Sequence, residues 1–199
     1  MILLFKKKGL LRFLSAIETS NAIIRTLLRA GLKIQYSEGF HPKPKVSFLD
    51  TVATGVIDLA LYVNVKLEQT DDSLEIAKIK RSIRDVSVNG LELVEIFPTD
   101  INLNGIVTSY EYVLFSRKAP ALEQTVYKHS GKSFVPSEVM NHYEVTLKKG
   151  LYMVKYTVDR QKIFNPYLID GVFLAIRTKA FSKETELRDL LTKNGGKPS

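Results

Sequence analysis

The 199-residue chain contains no cysteine and no tryptophan, and only three histidines. Without cysteine it has no disulfides, thiolate zinc sites, thiolate-held iron–sulfur clusters or cysteine nucleophile, which fits a reducing compartment. No apolar run approaches the roughly 20 residues that span a bilayer. The opening Met1-Ile2-Leu3-Leu4-Phe5 precedes Lys6, Lys7 and Lys8. A secretory signal places its charge before the apolar stretch, so the order is reversed and a cytoplasmic protein with no membrane partner is expected. The glycines are scattered, with neither a phosphate loop nor a dinucleotide fingerprint, and no metal site or other cofactor is expected.

What is present is ordinary globular material, 45% hydrophobic and 25% charged, with an uneven charge. Residues 1–50 carry nine Lys/Arg against three Asp/Glu, or +6. Residues 51–150 carry eleven against thirteen, or −2, and residues 151–199 nine against five, or +4. A basic first quarter suits a polyanion or an acidic partner, and equally suits simple solvation.

The periodicities predict an α+β fold. Residues 2–7 read as a strand. Ser15-Ala16-Ile17-Glu18 is a capping box opening a helix that stops at Gly31. Ile17, Ile24, Leu27 and Leu28, flanked by Ile23, form its expected apolar stripe. Asn21, Arg25 and Arg29 share another face. Short strands are expected at 32–36 and from Val46, and Leu61, Val63 and Val65 alternate with polar residues as in a half-buried strand. Asp72, with Glu75, caps a second helix striped by Ile76, Ile79 and Ile83, before a strand at 90–97. This order, β-α-β-β-α-β, is the split βαβ, ferredoxin-like arrangement.

After a polar linker at 99–106 the order recurs more weakly. A strand at 107–115, a helix near 120–128, a hairpin turning at Lys149-Gly150, an irregular piece at 163–169 and a strand at 172–178 are expected. Ser182 would cap a final helix carrying Leu187, Leu190 and Leu191, with residues 194–199 disordered. The expected organisation is a ferredoxin-like domain at 1–98, a second, degenerate ferredoxin-like half at 107–180 or an extension of the same sheet, and a C-terminal helix and tail at 181–199.

The most unusual stretch is Tyr36-Ser37-Glu38-Gly39-Phe40-His41-Pro42-Lys43-Pro44-Lys45. Two prolines stiffen it, which lowers the entropy cost of gripping a ligand. Its lysines suit phosphates, and Tyr36 and Phe40 suit stacked bases. A rigid connector with solvated lysines would read the same way. The candidate binding surface comprises Lys8, Arg12, Arg25, Arg29, Tyr36, Phe40, His41, Lys43 and Lys45, for RNA or a protein partner. His41 is a weak catalytic candidate without a catalytic partner, and His129 and His142 stand apart. The residues point to a binding or accessory protein rather than a self-sufficient enzyme.

Three runs carry a family resemblance: Lys8-Gly9-Leu10-Leu11-Arg12-Phe13-Leu14-Ser15, Leu27-Leu28-Arg29-Ala30-Gly31-Leu32, and Tyr36 through Phe48. They resemble the bacterial radical SAM-linked protein family, of unknown function, whose members occur beside or fused to a radical SAM protein. The resemblance implies a radical SAM partner and a suspected association with RNA. Relatives place Ser-His-Leu-Asp where this chain has Ser15-Ala16-Ile17-Glu18, and Asp-x-Arg-Pro-Tyr where it has Ile163-Phe164-Asn165-Pro166-Tyr167. The arrangement is also similar to the duplicated ferredoxin-like RNA endonucleases of CRISPR systems, but Ala16 stands where a catalytic histidine would be expected. Three functions stay open: an RNA-binding or RNA-presenting accessory, a module docking an acidic partner without RNA, and a metal-independent ribonuclease.

Overall fold

The computed structural model describes residues 1–68, 76–128 and 130–195, with 194 and 195 described by their backbone alone. The expected cap by Asp72 and Glu75, His129, and the expected disorder of 196–199 lie outside the described residues, whereas the backbone of 194 and 195, also expected to be disordered, continues the last helix. Strand β1 (Ile2–Lys7) leads through a 3-10 turn (Gly9–Phe13) to helix α1 (Ala16–Arg29). Strands β2 (Val46–Phe48) and β3 (Ile57–Val65), helix α2 (Ile76–Val86) and strand β4 (Leu91–Phe97) follow. Then come α3 (Leu103–Ile106), β5 (Ser109–Ser116), the small β6 (Val126–Tyr127) and β7 (Ser133–Phe134), and α4 (Pro136–Val139). The chain closes with β8 (Met140–Lys148), β9 (Leu151–Asp159), β10 (Val172–Ser182), β11 (Thr185–Glu186) and α5 (Leu187–Gly195).

The class is α+β. The main sheet has nine strands, ordered β4-β1-β3-β10-β5-β9-β8, with β2 on β3 and β11 on β10. Its pairings are antiparallel except where β10 meets β3, over Ile176↔Ile57 and Arg177↔Asp58. Strands from the second stretch therefore extend the same sheet. Because β2 occupies the same edge of β3 at residues 63–65, β10 diverges after its two-residue contact, and the sheet forks there.

Over β1, β3 and β4 both faces are covered. Leu3, Phe5, Leu61, Val63, Val65 and Leu93 pack with Ile23 and Leu27 of α1 and Ile83 of α2. On the reverse, Ile2, Leu4, Ala60, Tyr62 and Phe97 join Leu187 and Leu191 of α5 in a core that continues through Tyr110, Tyr112, Val154 and Tyr156. The expectation of a half-buried β3 is thus corrected: Tyr62, on its second face, is buried beneath α5.

Local chemistry explains the boundaries. Ser15 accepts from the Glu18 amide at 3.3 Å, and the Glu18 carboxylate accepts from the Ser15 amide at 2.8 Å, closing the capping box. Gly31, at φ +78°, ends the helix in the left-handed conformation. Lys149 and Gly150 both take positive φ, as a two-residue hairpin turn requires. Other expectations are corrected. The buried face of α1 is Thr19, Ile23, Thr26 and Leu27, while Ile17 is 74% exposed because, at 3.6 residues per turn, it lies on the opposite side of the helix. Residues 32–36 make isolated bridges rather than a strand. Residues 120–128 form turns and β6 instead of a helix, with Leu122 the buried anchor. The 99–106 linker holds α3, whose N-cap is Asn102. Ser182 caps nothing: it pairs with Thr185 in the tight β10–β11 turn. No described helix is long and apolar enough to cross a membrane.

Candidate functional site

The unusual loop folds as a hairpin. Leu32 and Ile34 anchor its base in the core beneath α1, and the Gln35 amide donates to the Lys66 carbonyl at 2.9 Å. Above that, the Lys45 amide donates to Gln35 and the Ser37 amide to Lys43, at 2.7 and 2.9 Å. Tyr36 bridges Pro44. The Lys43 amide is also held by the Ser37 hydroxyl at 3.0 Å. Pro42 and Pro44 donate nothing, so these few bonds suffice to order the arms. At the tip Gly39 turns the chain at φ +122° and Phe40 stands wholly in solvent, at 102% relative exposure. The Phe40 ring therefore caps no part of the core.

Cations surround this arm. His41, Lys43 and Lys45 are exposed on it, and Arg29 is exposed on the last turn of α1, just before the chain enters the hairpin. Arg29, Lys43, Lys45 and nearby Lys33 have no ion pair among the described residues, whereas Lys66 is tied to Asp100. Glu38 is the one acid in the arm. Beside the hairpin base, Met1, Gln35, Lys45, Lys66 and Asp100 contribute to an open cleft of about 740 Å³. The Met1 amine donates to the Val65 carbonyl at 2.8 Å, and burial lowers its pKa.

The nine expected site residues divide between two ends of the molecule. β1 runs from Ile2, paired with Asn64 beside the hairpin, to Lys7, paired with Asp58 at the far end. Helix α1 runs back, and at 1.5 Å per residue its 14 residues cover about 21 Å. Arg29, Tyr36, Phe40, His41, Lys43 and Lys45 gather at the hairpin end. Lys8 and Arg12 lie at the other end, with Arg25 exposed on the helix between. There Lys8 is already paired with Glu92 at 2.6 Å. The Arg12 guanidinium lies 4.7 Å from the Phe13 ring centre, and its Nε is buried without a hydrogen bond. Leu10, Phe13 and Ile17, close to it along the chain, are exposed.

Two further features escaped the sequence reading. Lys33 adds a cation to the hairpin end, and its place two residues past Gly31 was the available signal. The second is a buried polar knot at the fork of the sheet. Arg177 donates from Nε and Nη2 to the two Asp58 oxygens at 2.9 and 2.6 Å, and from Nη1 to the Asp50 carbonyl at 2.6 Å. Asp50 in turn accepts from the Tyr110 hydroxyl at 2.6 Å and from Arg160 at 2.5 and 3.0 Å. An aspartate opening one apolar run and an arginine inside another were its sequence signals. Full pairing within the knot gives it a structural part. No cluster of three metal-ligating side chains occurs among the described residues.

The model of one family, described as an uncharacterized protein conserved in bacteria (DUF2344), matches residues 1–190. No curated protein and no solved structure matches the chain.

Proposed function

The chain belongs to that conserved bacterial family, and we propose that it is a cytoplasmic RNA-binding accessory protein that presents RNA to a radical SAM partner through the hairpin end. The observation that carries this reading is Phe40, wholly exposed at the tip of a proline-stiffened arm amid four cations without acidic partners among the described residues: Arg29, Lys33, Lys43 and Lys45. Unpaired cations follow a phosphate backbone, and an aromatic face accepts any base, so the combination suits single-stranded RNA. His41 beside Phe40 supplies a polar contact; it makes no hydrogen bond or ion pair with another side chain among the described residues. The radical SAM partner enters from the sequence resemblance.

A second reading is favoured by a different observation. The exposed Leu10, Phe13 and Ile17, close to Arg12 along the chain, fit docking of an acidic protein surface without RNA, and the same residues could seat the partner when RNA is bound at the hairpin end. Fluorescence anisotropy with single-stranded and structured RNA across a salt series separates the readings. Each single-strand phosphate contributes a slope of about −0.7. An Arg29→Ala/Lys43→Ala/Lys45→Ala variant is expected to flatten the wild-type slope by about 2. Absence of binding at low salt would overturn the RNA reading.

A further inference from the structure

The sheet ends on an open strand. β8 is nine residues long and, among the described residues, pairs on one side alone, with β9. Proteins usually protect so long an edge with prolines, bulges or a covering element. Here the register shifts once, between Met140 and His142. Beyond that point residues 143–145 and 147–148 are all exposed. Tyr143, whose hydroxyl donates to the Glu123 carboxylate at 3.2 Å, forms an apolar row with Val145 and Leu147, the last 60% exposed. The Lys149-Gly150 turn makes Lys148 and Leu151 the closing pair. That phase directs the backbone groups of Glu144, Thr146 and Lys148 toward β9, and those of Tyr143, Val145 and Leu147 outward.

Charge adds a direction and a register. On the polar face Lys179 of β10 lies opposite Glu111 of β5. The Glu111 carboxylate pairs with Lys155 of β9 at 3.1 Å, and Lys155 lies opposite Glu144 of β8. The ladder thus alternates in sign across four strands and stops at Glu144, which has no ion pair among the described residues. Lys148, four residues on, is equally unpaired among them.

We propose that β8 is a self-association edge, on which a second copy of this chain pairs antiparallel about Thr146. In that register Glu144 of each copy faces Lys148 of the other, which continues the ladder. Val145 faces Leu147, and these two residues exchange the outward-pointing backbone hydrogen bonds. Centring the pair on Glu144 or Lys148 instead would set like charges face to face. Pairing that is offset by one residue would oppose an outward-pointing residue to an inward-pointing one. The sequence of β8 is therefore complementary to itself in this arrangement, in charge, in apolar contact and in hydrogen-bond phase.

The test is the oligomeric state of the full chain, measured by light scattering after gel filtration over a wide concentration range. Wild type is expected to shift from monomer to dimer as concentration rises. Glu144→Lys or Lys148→Glu alone opposes like charges twice per dimer, and should weaken association roughly tenfold or more. An equimolar mixture of the two variants recreates both opposite-charge pairs and should dimerise again. The mixture also controls for folding, since an unfolded chain would not be rescued. A wild type that stays monomeric, variants that dimerise as wild type does, or a mixture that stays monomeric would each overturn the proposal.

Discussion

Arg177 and Asp58 meet across the parallel contact of β10 with β3, their side chains joined by two hydrogen bonds and at most 1% exposed. The guanidinium also lies 4.8 Å from the Tyr110 ring centre. The pair closes the point at which the sheet forks. Its own hydrogen bonds stand in for backbone ladder bonds that β3 and β10 do not make beyond residues 58 and 177.

Removing one partner leaves the other charge buried. Arg177→Met should therefore cost about 3–5 kcal/mol, measured by urea denaturation. Replacing both, as Arg177→Met/Asp58→Leu, should restore much of that loss, because two apolar groups strand no charge. A single variant as stable as wild type would show that water reaches Asp58.

Asp50 sets an acid limit. Burial pushes its carboxyl pKa up, but hydrogen bonds from Arg160 and Tyr110 outweigh burial and hold it below the ordinary carboxylate value. A folded pKa below the unfolded one, about 3.9, gives stability that is present above pH 4 and lost as pH falls through the folded value. Asp50→Asn should lower the melting temperature at pH 7, and the difference from wild type should shrink as pH falls below about 4. A constant difference down to pH 2 would contradict this assignment.

Lys7 behaves in the opposite sense. It is buried on β1, donating to the Thr19 hydroxyl at 3.3 Å, and burial lowers its pKa although Asp58 opposes the shift. The unfolded chain then binds the proton more tightly, so wild-type stability should rise with pH as the ordinary lysine value is approached. Lys7→Met should be the more stable protein at pH 7, by about 1 kcal/mol, and should lack that rise. Denaturant midpoints at pH 7 and 9 measure both effects.

Phe40 is expected to matter for binding and not for folding. Its ring buries nothing, so Phe40→Ala should leave stability within about 0.5 kcal/mol of wild type. If RNA stacks on it, affinity for single-stranded RNA should fall by about 1–3 kcal/mol. Unchanged affinity in the anisotropy titration would remove stacking from the proposed function.

Signals confined to a few residues were legible in the sequence. The Ser15–Glu18 box, the stop at Gly31 and the Lys149-Gly150 turn each depend on backbone groups within one turn of the chain. The Tyr36–Lys45 stretch stood out for the same reason, because its aromatics, prolines and lysines are contiguous, but its folding as a hairpin was not expected. Helix α1 was placed correctly along the chain but rotated, since Ile17 and Leu28 continue the apolar stripe by count while Thr19 and Thr26 take the buried face. The pairing of β10 with β3 left no local trace. A period-2 pattern tells that a strand is buried, not which strand it meets. The separation of Lys8 and Arg12 from Arg29 has a similar origin, as it depends on the path of β1 and the reversal into α1.

The fork also bears on how the chain is made. Asp58 and Arg177 are 119 residues apart, and ribosomes add about 5–20 residues each second. Asp58 therefore emerges roughly 6–24 seconds before its partner exists. During that interval β1, β3 and β4 are already available to pair. The Asp58 carboxylate must remain hydrated, and the edge of β3 that later receives β10 stays unoccupied. A nascent chain is then most exposed to pairing with a neighbouring chain, and slowing elongation between residues 97 and 172 would lengthen that exposure.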